Sequence, residues 1–226
     1  MYDYPIPAFA PHEALVSRIL ALWNGPNNDG SHDWNHLIRV WKLARQIAAD
    51  EPEADVEILA AATLLHDCVA IEKNDPRRQM ASRLSAEKAR NILLTLGWDS
   101  NRSDRVAHVI AAHSYSAGIV ADSIEALILR DADRLDAIGA IGIARTFYVG
   151  GRMGSLLYEP ADPLGQSRPL NDQLYALDHF EAKLLHLTDQ LHSQRARQIG
   201  EQRRALMQQF IANLIQEINP QPDAKP

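Results

Sequence analysis

Along most of the chain, apolar residues recur at helical spacing, and one short run departs from that by being apolar on nearly every side. This is residues 60–67, Ala-Ala-Ala-Thr-Leu-Leu-His-Asp. A helix that is hydrophobic all round is a buried one, so its end carries His66 and Asp67 toward the interior. An ionised carboxylate is costly to bury without a compensating charge or hydrogen bonds. From this run alone two readings stand: a His and an Asp solvated at a helix end, or a divalent cation meeting Asp67.

The elements on either side follow from the same pattern. Residues 12–23 carry Leu15, Ile19 and Leu22 and predict a helix that the turn residues 24–30 break. Ser31 or Asp33 can cap the next helix, which runs to about Asp50 with His36, Val40, Leu43/Ala44 and Ile47 on its inner stripe. Glu51-Pro52 ends it, and Asp55 caps the buried helix. After a charged loop at 72–78, Ser85 is predicted to cap a helix through Leu96, closed by Gly97. Ser103 or Asp104 opens another, bearing Val106, Val109, Ile110 and His113. Ser123 begins a long helix over 124–148, mostly apolar but interrupted by Arg130, Asp131, Asp133, Arg134 and Asp136. Residues 150–171 hold four Gly and three Pro and predict an irregular lid or binding loop. Two amphipathic helices, 174–191 and 193–218, precede a tail at 219–226 expected to be disordered. No convincing β alternation or internal repeat occurs, so the expected fold is all-α and single-domain.

Composition narrows the function more than the fold. The 226 residues are 46% hydrophobic and 23% charged, ordinary for a soluble globular chain. With 23 Lys and Arg against 29 Asp and Glu, the net charge of −6 argues against nucleic acid as the main partner. The one cysteine, Cys68, cannot form an internal disulfide, which fits a reducing compartment. No membrane-length apolar run appears, and residues 1–10 hold two prolines and no basic, apolar leader. The expectation is a cytoplasmic protein.

The candidate chemistry comes from asking which His and Asp residues share an apolar face. His36 heads the inner stripe of its helix. His66 follows Leu59 and Thr63 by seven and three residues, and Asp133 follows Ala126 and Leu129 by seven and four. Three helices therefore each aim one metal-type ligand inward, and Asp67 adds a fourth. Any one histidine alone is explained by a hydrogen bond in the core; the joint pattern is not. Two imidazoles with two carboxylates suit Mn²⁺, Fe²⁺, Co²⁺, Ni²⁺ or Zn²⁺.

Taken in order, His36, the pair His66-Asp67, and Asp133 within Asp131-Ala132-Asp133-Arg134-Leu135 resemble the HD-domain metal-dependent phosphohydrolase superfamily. The flanking text His32-Asp33-Trp34-Asn35-His36-Leu37-Ile38-Arg39-Val40, the run Ile110-Ala111-Ala112-His113-Ser114, and residues 131–145 are similar to its small bacterial members. The likeness spans roughly residues 12–215, with a core over 30–148 and C-terminal helices over 174–218.

The resemblance implies an all-α bundle with a metal site between helices and a divalent ion (Mn, Ni, Co, Fe, Zn or Mg) on His36, His66, Asp67 and Asp133. Asp133 is preferred to Asp131 because residues two apart on a helix point about 200° away from each other, and the family's ligand Asp is followed by a basic and then an apolar residue. Asp131 and His108 are then supporting partners. Asp67 doubles as the catalytic group that steers a water's proton. Lys73, Arg78, His113, Arg134 and Lys183 are candidate phosphate contacts, and Arg168 could close from the C-terminal part.

The substrate so implied is a nucleotide, with cleavage of nucleoside triphosphates to pyrophosphate as the leading expectation. The alternatives are a phosphomonoesterase, a cyclic phosphodiesterase, or a nucleotide-binding regulatory module without turnover. Ala70 stands where several branches place a glutamate, so the acid/base scheme of alarmone hydrolases and 5′-nucleotidases does not carry over. The late amphipathic helices could pair in a homodimer.

Overall fold

The structure is a computed structural model that describes residues 6–26, 33–69, 71, 76–114 and 117–220, with only the backbone at Pro76 and Arg78. Among these, nine α-helices follow in order. They are α1 (Glu13–Leu20), α2 (Trp34–Ala48), α3 (Val56–Leu65), α4 (Ala81–Thr95), α5 (Ser100–His113), α6 (Ile124–Asp136), α7 (Gly139–Met153), α8 (Asp178–Ala182) and α9 (Gln194–Ile218). Short 3₁₀ turns lie at Ile6–Phe9, Pro76–Met80 and Leu184–Gln190. The chain is the all-helical, single-domain bundle that the hydropathy pattern predicts. Its contacts group into two compact parts, residues 1–133 and 134–226, with the boundary inside α6.

In the first part α3 is the central rod. Every residue from Ile58 to Leu65 is buried, and α2 and α5 pack against it while α4 packs on α5. Asp55 starts α3 by accepting the backbone N–H groups of Glu57 and Ile58, each at 3.1 Å. The same carboxylate lies 3.3 Å from Arg102 in the first turn of α5. Glu125, buried in the first turn of α6, accepts the Asp55 N–H at 2.9 Å and meets Arg105 at 3.3 Å. One charged knot thus ties the N-terminal ends of α3, α5 and α6, whose opposite ends carry His66, His113 and Asp133. Asp33 caps α2, accepting the His36 N–H at 2.9 Å, and this sets where His36 enters the helix.

The second part is built on three phenylalanines. Phe147 of α7, Phe180 of α8 and Phe210 of α9 sit with ring centroids 5.8 to 6.1 Å apart, a geometry that adds to their burial. The loop between α7 and α8 is stapled by Arg168, whose guanidinium donates to both oxygens of the buried Asp178 at 2.6 and 2.7 Å. Asn171 N–H donates to the same carboxylate at 2.7 Å.

Several predicted boundaries shift. The helix expected over 124–148 is two helices, because α6 stops at Asp136 and Gly139 restarts the chain at φ +77, beyond easy reach of other residues. A Cβ there would also stand 2.9 Å from Arg203 Cγ. The helix α7 then runs to Met153, into the stretch expected to be loop, and that loop holds one isolated parallel bridge, Leu156 to Tyr175. The helix expected over 174–191 is a short α8 and a 3₁₀ turn, divided at Lys183, whose φ of −146 leaves the helical region. Ser85 does not cap α4, which starts four residues earlier at Ala81, and α5 is capped by Asp99 rather than by Ser103 or Asp104. The tail from 221 onward lies outside the described residues.

Because Phe180 is 1% exposed at the centre of the aromatic trio, Phe180→Ala should cost about 3–5 kcal/mol of stability. Chemical denaturation of the two proteins would show this as a lower midpoint at unchanged slope.

Candidate metal centre

The C-terminal end of α3 delivers His66 fully buried and Asp67 beside it with its side chain 29% exposed. From α2, His36 Nε2 comes to 3.2 Å from His66 Nε2. Asp67 Oδ2 lies 3.7 Å from His36 Nε2 and 3.6 Å from His66 Nε2. From the last turn of α6, Asp133 Oδ1 lies 3.6 and 3.9 Å from the same two nitrogens. The ligand atoms of His36, His66 and Asp67 all fall within 4.8 Å of one another. The imidazoles form a dry floor and the two carboxylates a partly exposed rim.

The tautomer of His66 follows from its partner. Its Nδ1 is 2.8 Å from the Thr63 carbonyl oxygen, which can only accept, so Nδ1 carries the proton and Nε2 turns a lone pair toward His36 and the carboxylates. Burial pushes the His66 pKa below its ordinary value; His113 and His36 push the same way, while Asp67 and Asp133 oppose it. A neutral imidazole with a directed lone pair is the form that binds metals.

Helix ends reinforce the same polarity. His66 and Asp67 stand at the C-terminus of α3, His113 at that of α5, and Asp133 in the last turn of α6. These ends bear the negative pole of the helix dipole and favour a cation. The donor set, two imidazole nitrogens and two carboxylate oxygens, fits a divalent ion of the borderline or harder kind.

The other candidates from the sequence fall in different places. The His113 ring packs edge-on against His66 with centroids 5.0 Å apart, and its Nδ1 is 2.6 Å from the Ile110 carbonyl oxygen. His108 Nε2 lies 2.6 Å from Asp122 Oδ1, in the segment leading to α6. Asp131 is fully buried, and Asp136 is buried with Arg145 Nη1 at 3.3 Å. Arg134 donates to the Gln190 carbonyl oxygen at 2.7 Å, and Lys183 is exposed at the end of α8. Arg168 is engaged by Asp178, as described above. Lys73, Ala70 and the Arg78 side chain lie outside the described residues.

Inspection of the sequence passes over one layer of contacts. The backbone just beyond Asp67 is held by Ser85, which reads as a helix cap, and by Lys88 of α4. Nothing in their local spacing marks them.

Comparison with known proteins places this geometry. Residues 33–138, which contain all four ligand candidates, match the HD domain. The chain is 36% identical over 196 residues to the protein YpgQ of Bacillus subtilis (strain 168), covering 85% of this chain and 87% of YpgQ. The crystal structure of YpgQ in complex with ADP superposes with a TM-score of 0.69, covering 91% of this chain and 98% of that one. An HD-superfamily hydrolase from Bacillus thuringiensis, 33% identical, superposes with a TM-score of 0.68 over 95% of this chain and 96% of its own. The Lin1889 protein of Listeria innocua, 30% identical, gives 0.70 over 93% and 98%. With its paired histidine and aspartate at the end of a buried helix and relatives matched over most of their length, the chain belongs to the HD-domain family.

Proposed function

We propose that this protein is a divalent-metal-dependent phosphohydrolase acting on nucleotides, and that it cleaves nucleoside triphosphates with release of pyrophosphate. The observation that carries the reading is the convergence of His36, His66, Asp67 and Asp133 within 4 Å contacts of the two imidazole nitrogens. The crystal structure of the relative YpgQ with ADP supports the substrate class. Manganese and the related Ni, Co, Fe, Zn and Mg ions are the cofactor candidates.

A divalent ion on these four side chains would supply an acidified water and a Lewis acid for a phosphoryl oxygen. The protein supplies the rest. His36 and His66 hold the buried side of the site. Asp67, at the rim, serves both as ligand and as the acceptor, through its carboxylate, of the attacking water's proton. Asp133 closes the opposite side. Asp131 and His108 act behind the ligands, and the phosphate charge falls to His113, Arg134, Lys183 and the 72–78 segment with Lys73 and Arg78. No helix among the described residues is long and apolar enough to cross a membrane.

Purified protein supplied with Mn²⁺ should release pyrophosphate from a nucleoside triphosphate and lose that activity in EDTA. Asp67→Ala and His66→Ala should each lower kcat by at least about 100-fold with little change in fold by circular dichroism. Orthophosphate from a nucleoside monophosphate, with no pyrophosphate from a triphosphate, would make the enzyme a phosphomonoesterase, and no product from any nucleotide with any of these metals would refute hydrolysis altogether.

The depressed pKa of His66 sets a second expectation. Unfolded, this imidazole takes a proton near pH 6.5, whereas folded it does so only at lower pH. Below about 6.5 the unfolded chain therefore binds more protons, and stability falls as pH falls. Thermal melts of the metal-stripped protein should decline through that window, and His66→Gln should flatten the decline. A profile equally steep in the variant would remove His66 as the cause.

A further inference from the structure

Beyond Asp67 the chain leaves α3 and runs across α4, and there it is held more tightly than a connecting segment requires. The Leu65 carbonyl accepts the Cys68 N–H at 3.0 Å, closing a turn around His66 and Asp67. The next peptide group is pinned at both ends by α4. Its carbonyl oxygen, on Cys68, accepts from Lys88 Nζ at 3.1 Å. Its N–H, on Val69, donates to Ser85 Oγ at 3.1 Å. Cys68 Sγ lies 3.5 Å from the Ser85 carbonyl oxygen and adds a weak third contact. A peptide group is planar, so fixing its N–H and its C=O together fixes the orientation of the whole unit.

We infer that Ser85 and Lys88 are positioning residues for the metal site, acting through the backbone to hold the Asp67 carboxylate at His36 and His66. This rests on the metal reading above. The need for such a hold is visible in the site itself. His66 is locked by burial and by the Thr63 carbonyl. Asp67 is partly exposed and lies two residues beyond Leu65, the last helical residue of α3, past the helix's own ladder of hydrogen bonds. A ligand on a helix end needs outside support to keep its geometry. The two contacts differ in strength. Ser85 is 1% exposed, so its hydroxyl is not replaced by water when removed. Lys88 is exposed and contributes less.

The test is a double-mutant cycle on Co²⁺ affinity, read by calorimetry and by the visible absorption of the bound ion, without reference to turnover. Ser85→Ala should weaken Co²⁺ binding about tenfold, and Lys88→Met by a smaller factor. Both should alter the absorption spectrum. In an Asp67→Ala background neither substitution should weaken binding further, because the ligand they place is gone. A purely structural role would give the same loss in both backgrounds. Lys88→Met alters an exposed side chain and decides the question alone if Ser85→Ala does not fold. Native affinity in both single variants, or undiminished losses in the Asp67→Ala background, would overturn the inference. A native protein that binds no Co²⁺ would instead overturn the metal reading, and the inference with it.

Discussion

Two buried imidazole nitrogens 3.2 Å apart, faced by two partly exposed carboxylates, bring four donor groups into one small volume. Since the Thr63 carbonyl holds the His66 proton on Nδ1, a lone pair stands opposite His36, and the carboxylates bring negative charge to the same point. Three helix C-termini add their negative poles. Every one of these features asks for positive charge in one small volume. The first part of the fold follows from keeping them there: an apolar α3 with no exposed face, and a charged knot of Asp55, Arg102, Arg105 and Glu125 fixing the far ends of the helices that bring the donors together.

The local part of this is legible in the amino-acid order alone. A run that is apolar all round reads as a buried helix whose end carries His-Asp, and helical spacing puts His36 inward from the Asp33 cap. The angle between residues two apart separates Asp131 from Asp133; in the structure an Asp133 oxygen lies 3.6 and 3.9 Å from the two imidazole nitrogens, and Asp131 is fully buried. Spacing within one helix carries that information, because a helix fixes its own directions.

What stays hidden depends on partners distant in the chain. The apolar pattern of 124–148 resumes after Asp136 and carries through Gly139, and only the positive φ there, against Arg203 of α9, shows that one helix became two. Asp178 resembles any surface acid until Arg168 and the Asn171 N–H surround it. Ser85 carries the hydroxyl of a helix cap, yet its helix has already begun at Ala81, and the hydroxyl serves the Val69 N–H instead. In each case the residue type is compatible with a bland local role, and a tertiary contact overrides it.

On the proposed function, charge decides where the substrate's phosphates are met. A divalent ion on Asp67 and Asp133 would be balanced by those two carboxylates and would leave little net charge for a polyanion. The cations beyond the ligands then govern binding. Arg168, which the sequence offers as a cation to close on substrate, is matched by the carboxylate of Asp178 and has its charge already answered. The burden moves to the residues that follow Asp67, where Lys73 and Arg78 come four and nine positions after Val69. The peptide that Ser85 and Lys88 pin precedes them in the chain. On the proposed function, one tether on α4 therefore sets both the ligand that precedes it and the starting point of the basic segment that follows.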